Sequence, residues 1–400
     1  MPRVLLLALL SVAAFSQDQP SQTFNIYVID AEEGRAILYV SPSGETVLED
    51  TGIRSSADRI VDVMHAAGVK QIDHLLLTNY GGDHITGLSE LAKQIPIKHF
   101  MDHGPALESP DREAPGFTEL YPQLYSHASH TVVKLGDKIP IAGLDVTVIT
   151  AGGQTIKAPL PGGGKPNPDC TGFKPQKSEA GLNENSQTVG VVYTFGKFRS
   201  IDLGDLNWNK EAELMCPNNP IGEVDLYITS YHGVNRAGSP ALVHGLQPTV
   251  AIMPNSAIKG GTAQTMRTLY SSPGLQDVWQ LHWAFAGGLE SNSPGLFIAN
   301  LQAPASVAAF LMDPASAGPL FGDSTPSPRS QALKAPAPPP GVTPTAPIQP
   351  WTNPAVPSRS AVDRQHLGKA FWLKVSAQSD GTFTVTNTRN SFSKTYAARN

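Results

Sequence analysis

Three short segments carry side chains of the types that bind metal ions or move protons. In LLLTNYGGDHITGL, residues 75–88, an apolar run ends in a Gly-rich polar loop with Asp83 and His84 just before a helix-like segment, which points both side chains into a cleft. FRSIDLGDL, residues 198–206, brings Asp205 to the end of a strand pattern, and ITSYHGVNRAGSPALV, residues 228–243, places His232 before Gly233. Each has an ordinary reading as well. Asp205 suits an Asx turn, Asp83 an N-cap, and His232 a strand-end loop.

The elements that must position these residues follow from periodicity. FNIYVID from Phe24, AILYV and ETVLED read as three short strands of an antiparallel meander. Ile60, Val61, Val63 and Met64 give 57–67 a helical spacing that stops at Gly68. HLLLT, 74–78, is apolar enough for burial on both faces. A second helix is expected over 85–94, and strands over IKHFM, TVVKL, IPI and LDVTVIT. The stretch 151–185 is loop-like, and a loop of about 30 residues inside a domain is uncommon unless it covers a site or serves another function. TVGVVYTF and FRSIDL flank Gly196-Lys197 as a hairpin, and a helix over WNKEAELM follows. Strand and helix then alternate through VDLYITS, PALVHGL, TVAIM and TAQTMRTLY, so the chain reads as two similar halves.

The Asp83-His84 loop, with its strand before and helix after, resembles the metallo-β-lactamase superfamily. That family's His-x-His-x-Asp-His pattern falls here on Asn79, Tyr80, Gly81, Gly82, Asp83 and His84, matching in its last two positions and departing in its two leading histidines. IDAEEGRAILYVSPSGETVLEDTG, 29–52, is similar to the opening of the branch that includes the extracytoplasmic domain of the DNA-uptake competence channel. The segment around Asp205 looks like the strand that ends in the family's bridging Asp. The segment around His232 looks like its later His-His-Gly, with Tyr231 in the first His position. These similarities run in order over about residues 24–285. The chain also resembles a group of secreted bacterial proteins of the superfamily that share a long Pro/Gly loop and a C-terminal hairpin.

The resemblance implies an α/β (α+β) four-layer αββα sandwich with a Pro-rich excursion and a C-terminal β-hairpin. It also implies a metal set of Asp83, His84, Asp205 and His232. Two imidazoles and two carboxylates suit one Zn²⁺, with Mn²⁺ or Fe²⁺ as alternatives. The first metal site is dismantled at Asn79 and Gly81, with His103 and His130 the nearest substitutes in sequence. The expected function is a metal-dependent hydrolase of an ester, phosphoester or lactam-like bond with at most one ion, in which Asp83 orients the water or accepts its proton. The alternative is a catalytically inactive member that binds a ligand or partner, or a fully degenerate site without metal.

Composition sets the remaining bounds. A hydrophobic share of 40% in 400 residues supports a full-sized core, and 35 Pro with 36 Gly make the surface loop-rich. A net charge of −5 gives no bulk attraction for nucleic acid. Arg3 and the apolar run from Val4 to Phe15 read as a signal peptide cleaved after Ser16, so the mature protein is expected in an extracytoplasmic space, periplasmic or secreted. No stretch reaches the roughly 18 apolar residues of a membrane span. Cys170 and Cys216 either pair as one disulfide or remain two free thiols. The expected organisation is a signal peptide at 1–16, the main domain at 17–300, a Pro-rich linker or excursion at 301–360, and a hairpin at 361–400 docked on the main domain. Within it, residues 324–357 hold 11 prolines, and FWLKVSA and TFTVTNT flank the turn Ser379-Asp380-Gly381.

Weaker candidates complete the reading. Gly162-Gly163-Gly164-Lys165 lacks the spacing of a phosphate loop. His282 reads as a core or cleft-wall histidine. Trp279, Trp283 and Trp351 could form a sugar platform, with core packing an equal reading for the first two.

Overall fold

The structure is a computed structural model that describes residues 23–285, 291–301 and 369–399. The expected signal peptide, the Pro-rich segment 324–357 and Trp351 lie outside the described residues.

In the first half the elements run β1 (Phe24–Val28), β2 (Ile37–Val40), β3 (Thr46–Glu49), α1 (Ala57–Ala66), β4 (His74–Leu76), α2 (Gly82–Ile85), α3 (Leu88–Leu91), β5 (His99–Asp102), α4 (Phe117–Tyr125) and β6 (Ser129–Val132). The second half runs β7 (Lys138–Ile139), β8 (Asp145–Ala151), β9 (Gln154–Thr155), β10 (Lys165–Pro166), β11 (Gly190–Phe195), β12 (Phe198–Asp202), α5 (Trp208–Met215), β13 (Asn218–Asn219), β14 (Leu226–Ile228), α6 (Pro240–Leu246), β15 (Val250–Met253), α7 (Ala263–Tyr270), β16 (Asp277–His282) and β17 (Ile298–Asn300). The chain closes with β18 (Leu373–Ala377), β19 (Phe383–Asn387) and β20 (Ser393–Tyr396).

Two mixed sheets result. One is ordered β20-β19-β18-β1-β2-β3-β4-β5-β6, the other β17-β16-β15-β14-β12-β11-β8-β7 with β9 beside β8. Between the sheets lie Phe24, Val28 and Tyr39 from the first and Val148, Tyr193, Ile228 and Trp279 from the second. A separate apolar layer joins the first sheet to the helices of the first half through Ile60, Met64, Leu88 and Tyr121. A third, with Leu214, Leu242, Leu246 and Leu269, joins the second sheet to α5, α6 and α7. Helix, sheet, sheet and helix therefore stack in four layers, as the αββα expectation holds. The helices of the second half start on side-chain caps, with Asn207, Ser239 and Thr262 accepting backbone N–H groups.

The continuous helix expected over 85–94 is two short helices instead. The break is at Gly87, where a β-carbon would lie 2.0 Å from the Thr51 carbonyl oxygen, so the backbone presses against the turn after β3 at the cost of a regular helix. The C-terminal hairpin gains a third strand, β20, and β18 pairs along β1 with Val28 opposite Leu373. The long 151–185 segment holds β9, β10 and short turns. Cys170 and Cys216 form a disulfide, which closes the open alternative and ties that segment to the end of α5. Among the described residues no helix is long and apolar enough to cross a membrane.

Candidate metal centre

The site forms where parallel strands of both sheets end. In the first sheet, β3 and β4 run parallel, and Asp50 follows one while Asp83 and His84 follow the other. In the second, β12, β14 and β15 are parallel neighbours, and Asp205, His232 and Lys259 come from the loops after them. Loops beyond the carboxyl ends of such strands converge on one crevice, which explains why residues far apart in sequence meet.

Asp83, His84, Asp205 and His232 do meet, with one ligand atom from each lying within 4.8 Å of all the others. The Asp83-His84 turn is fixed by its backbone. The Asp83 carbonyl accepts Arg35 N–H at 3.0 Å, and the His84 carbonyl accepts Thr51 N–H at 2.7 Å and Thr51 Oγ1–H at 2.9 Å. Neither side chain serves as an N-cap, since α2 begins on Gly81 with no side-chain cap.

Both imidazoles are aimed by their Nδ1 atoms. His84 Nδ1 lies 2.7 Å from Asp50 Oδ2, an oxygen that also accepts from Thr78 Oγ1 at 2.7 Å and Arg35 at 3.2 Å. His232 Nδ1 donates to the Pro254 carbonyl at 3.0 Å. Each Nε2 is thereby turned to the carboxylates. That of His84 is 3.3 Å from Asp205 Oδ2, and that of His232 is 3.0 Å from Asp83 Oδ2 and 3.6 Å from Asp205 Oδ1. An Nδ1 held by an acceptor is the arrangement that fixes a metal-binding tautomer at Nε2.

The turn reading of Asp205 belongs to its neighbour. Asp202 Oδ1 accepts Gly204 N–H at 2.9 Å and makes the Asx turn, whereas Asp205 faces the imidazoles. Among the described residues its Oδ1 has no hydrogen-bond partner. His232 stands on strained backbone. Tyr231 (φ 50°, ψ 46°) and His232 (φ 54°, ψ 10°) are consecutive non-glycine residues in the left-handed region, a conformation that costs of order 1–3 kcal/mol per residue. Gly260 makes room for it, since a β-carbon there would lie 1.9 Å from the His232 carbonyl oxygen.

Lys259 also reaches the site, and no sequence signal singled it out. Its Nζ is ion-paired with Asp83 Oδ2, donates to the Glu33 carbonyl at 3.3 Å, and lies 6.0 Å from the Tyr231 ring centroid. No motif marks it. The available signal was positional: a lone cation in the loop after the third parallel strand of the row that supplies Asp205 and His232.

These contacts set the electrostatics. Burial pushes the Asp83 carboxyl up, but Lys259, His84 and His232 outweigh it and hold it well below the usual range. Burial likewise raises Asp205, and His84 and His232 bring it below. His84 is lowered by burial but lifted well above its ordinary value by Asp50, Asp205 and Asp83. His232 is pushed down by burial and by Lys259.

The donor set fits one divalent ion: two aimed Nε2 atoms, the unpartnered Asp205 Oδ1, and Asp83. It does not fit a second. Asn79 Oδ1 is held by Gly81 N–H at 2.7 Å, and Gly81 offers no ligand. Neither suggested substitute joins the group. His103 pairs with Glu184 at 2.8 Å, and His130 pairs with Asp102 at 2.7 Å and stacks on Tyr125.

The minor candidates resolve as structure. His282 is buried against Asp30 at 2.8 Å. Asp30, Glu32 and His282 form a second carboxylate and imidazole group, whose counter-charge comes from Arg59 at 3.0 and 2.8 Å. Trp279 is fully buried with its indole N–H donated to Tyr396, which removes it from any sugar platform. Lys165 lies in β10, paired with Asn219.

Residues 29–164 match the family model of the metallo-beta-lactamase superfamily, and the chain has the metallo-β-lactamase fold. Comparison with curated proteins gives no match. Similar solved structures include a Cronobacter sakazakii (Enterobacter sakazakii) metallo-β-lactamase with a HARLDQ motif, at 13% identity and a TM-score of 0.28, over 45% of this chain and 59% of that one. The metallo-β-lactamase fold protein YhfI from Bacillus subtilis aligns at 11% identity and a TM-score of 0.40, over 64% of this chain and 96% of that one. MEM-A1, a subclass B3 metallo-β-lactamase from a soil metagenome library, aligns at 16% identity and a TM-score of 0.33, over 61% and 79%.

Proposed function

We propose that this protein is an exported metal-dependent hydrolase with a single ion, held by Asp83, His84, Asp205 and His232, acting on an ester, phosphoester or lactam-like bond. One observation carries the reading: two imidazoles, each fixed at Nδ1, direct Nε2 at two carboxylates that lie between them. When bound, Zn²⁺, Mn²⁺ or Fe²⁺ supplies Lewis-acid polarisation and lowers the pKa of a coordinated water toward about 7.

The chain's own residues divide the remaining work. His84, Asp205 and His232 are buried, so they define the floor of the site. Asp83 and Lys259 are about a quarter exposed and form its mouth, where substrate enters. Asp83 is the base in this reading, orienting the attacking water and accepting its proton. The disulfide supports an oxidising, extracytoplasmic setting.

The test is elemental analysis of protein loaded with Zn²⁺ or Mn²⁺ and freed of excess by gel filtration. About one equivalent is expected, falling to background in Asp205→Ala and His232→Ala. No retained metal in the native protein overturns the proposal.

A second reading, a non-catalytic binder of a ligand or partner, is favoured by Asn79 and Gly81, which leave no second ion to clamp a leaving group. It expects no turnover of phosphodiester, thioester or β-lactam substrates by the metal-saturated protein. Turnover that disappears in Asp83→Ala would count decisively against it.

A further inference from the structure

We propose that Lys259 is a tethered cation that closes the metal centre, so that a divalent ion enters only by displacing its ammonium group from Asp83 toward solvent. The proposal rests on the reading of Asp83, His84, Asp205 and His232 as a metal site, and it assigns this chain a competitor for that site built from its own sequence.

The first argument is the need for positive charge. Asp83 and Asp205 bring two carboxylates into one crevice, with Asp83 Oδ2 3.0 Å from His232 Nε2 and Asp205 Oδ2 3.3 Å from His84 Nε2. Two carboxylates brought together in a largely buried site need positive charge against them. Lys259 Nζ bonds to the same Asp83 oxygen, and so supplies the charge at the place where a coordinated ion would supply it.

The second argument is that the backbone of Lys259 is fixed while its side chain has an exit. Lys259 N–H donates to Ser256 Oγ at 3.0 Å, its carbonyl accepts Ser256 N–H at 2.9 Å, and the next residue presses on the His232 carbonyl. Only the side chain can leave. The side chain as a whole is 24% exposed, and the four-carbon stem lets the ammonium swing outward without unfolding the loop.

The third argument is competition. An ammonium and a divalent ion on the same carboxylate oxygen at contact distance repel strongly in a partly buried site, so both cannot be held there together. Lys259 therefore lowers metal affinity and stabilises the metal-free protein.

The experiment uses the full mature chain stripped with chelator. Zn²⁺ affinity is measured by competition with a chromophoric chelator for the native protein, Lys259→Met, Lys259→Arg and Asp205→Ala. Lys259→Met is expected to bind Zn²⁺ at least about tenfold more tightly, because the competing charge is gone and the stem is kept. Lys259→Arg is expected to bind no more tightly than the native protein. In the native protein, acetylation of Lys259 by an N-hydroxysuccinimide ester, followed by peptide mass spectrometry, is expected to rise when Zn²⁺ is added. This labelling result needs no variant to fold. Unchanged Zn²⁺ affinity in Lys259→Met, or labelling that is unchanged or falls with Zn²⁺, overturns the tethered-cation proposal. If Asp205→Ala still abolishes binding in that case, the metal site itself stands. No Zn²⁺ bound by the native protein or by Lys259→Met overturns the metal site and this proposal with it.

Discussion

His84 Nδ1 meets Asp50 Oδ2 at 2.7 Å, and that carboxylate is shared with Arg35 and Thr78 deep between the two sheets. The contact links the floor of the site to a buried polar network. Arg35 also pairs with Glu49 and Asp202, Tyr39 donates to Asp202 at 2.9 Å, and Tyr193 donates to Glu49 at 2.8 Å. Asp50 thus has two roles, orienting an imidazole and neutralising a buried guanidinium.

Asp50→Asn separates them in part. The amide keeps the shape but loses the charge that fixes the His84 tautomer, so metal affinity should fall by about 10–100-fold, read by calorimetric titration. Asp50→Ala leaves Arg35 short of a partner, and its cost should be about 3–5 kcal/mol in denaturant unfolding. A variant with native affinity and native stability would show that the contact orients nothing.

Two buried carboxylates away from the site should make their own contribution to the pH dependence of stability. Burial pushes Glu211 from an ordinary 4.5 up to about 7, against the pull of the Ser239 and Gly238 N–H groups that it accepts at 2.7 Å. Burial likewise lifts Asp225 from 3.8 to about 6. Between roughly pH 4 and 7 the folded protein keeps protons that the unfolded chain has released, so stability should decline as pH rises through that window, by roughly 3 kcal/mol for Glu211 alone. Asp83 and Asp205 act oppositely and elsewhere, because their depressed carboxyls withdraw stability only as pH falls below the ordinary carboxylate range. Urea melts across this pH range should show the decline in the native protein and a shallower one in Glu211→Gln. Equal slopes in the two proteins would remove Glu211 as the cause.

The Cys170–Cys216 bridge spans 46 residues and anchors the long segment that precedes β11. Closing a loop of that length restricts the unfolded chain by about 4 kcal/mol in the chain-entropy account. Cys170→Ser with Cys216→Ser should therefore melt at a lower temperature than the native protein, and dithiothreitol should lower the native melting point but leave the double variant unmoved. An equal response of both proteins to reductant would place the effect outside this bond.

The fold was legible because its signals are local and periodic. The β1–β3 meander, α1, the β11–β12 hairpin and the cap-led helices α5 to α7 each follow from alternation, helical spacing or a turn residue within a few positions. The gathering of Asp83, His84, Asp205 and His232 came through family order rather than periodicity, since nothing local says that loops after β4, β12 and β14 share a crevice. Gly87 reads as helix in the sequence because its constraint is the Thr51 carbonyl, a tertiary contact. Lys259 carries no sequence signal for the same reason. A lysine before two glycines looks like surface loop until Asp83 is placed against it.

Restoring the missing ligands tests whether the architecture for a second ion persists. Gly81 has ordinary φ, at −59°, so its backbone accepts a side chain. A β-carbon there would lie 2.9 Å from Asn79 Oδ1, 3.1 Å from Asp83 Oδ1 and 3.3 Å from His84 Cδ2, which directs the new side chain into the site and makes Asn79 the main obstruction. Asn79→His together with Gly81→His replaces the crowding amide with a ligand and supplies both missing imidazoles. The double variant should bind more metal than the native protein by elemental analysis, while Gly81→His alone should gain little because it supplies only one of the two missing imidazoles. The substitution also ends the hydrogen bond from Gly81 N–H to Asn79 Oδ1, at a cost of about 1 kcal/mol that bound metal should recover as a higher melting temperature. A double variant that folds and gains no metal would mean that the loop after β4 no longer holds its first-site geometry.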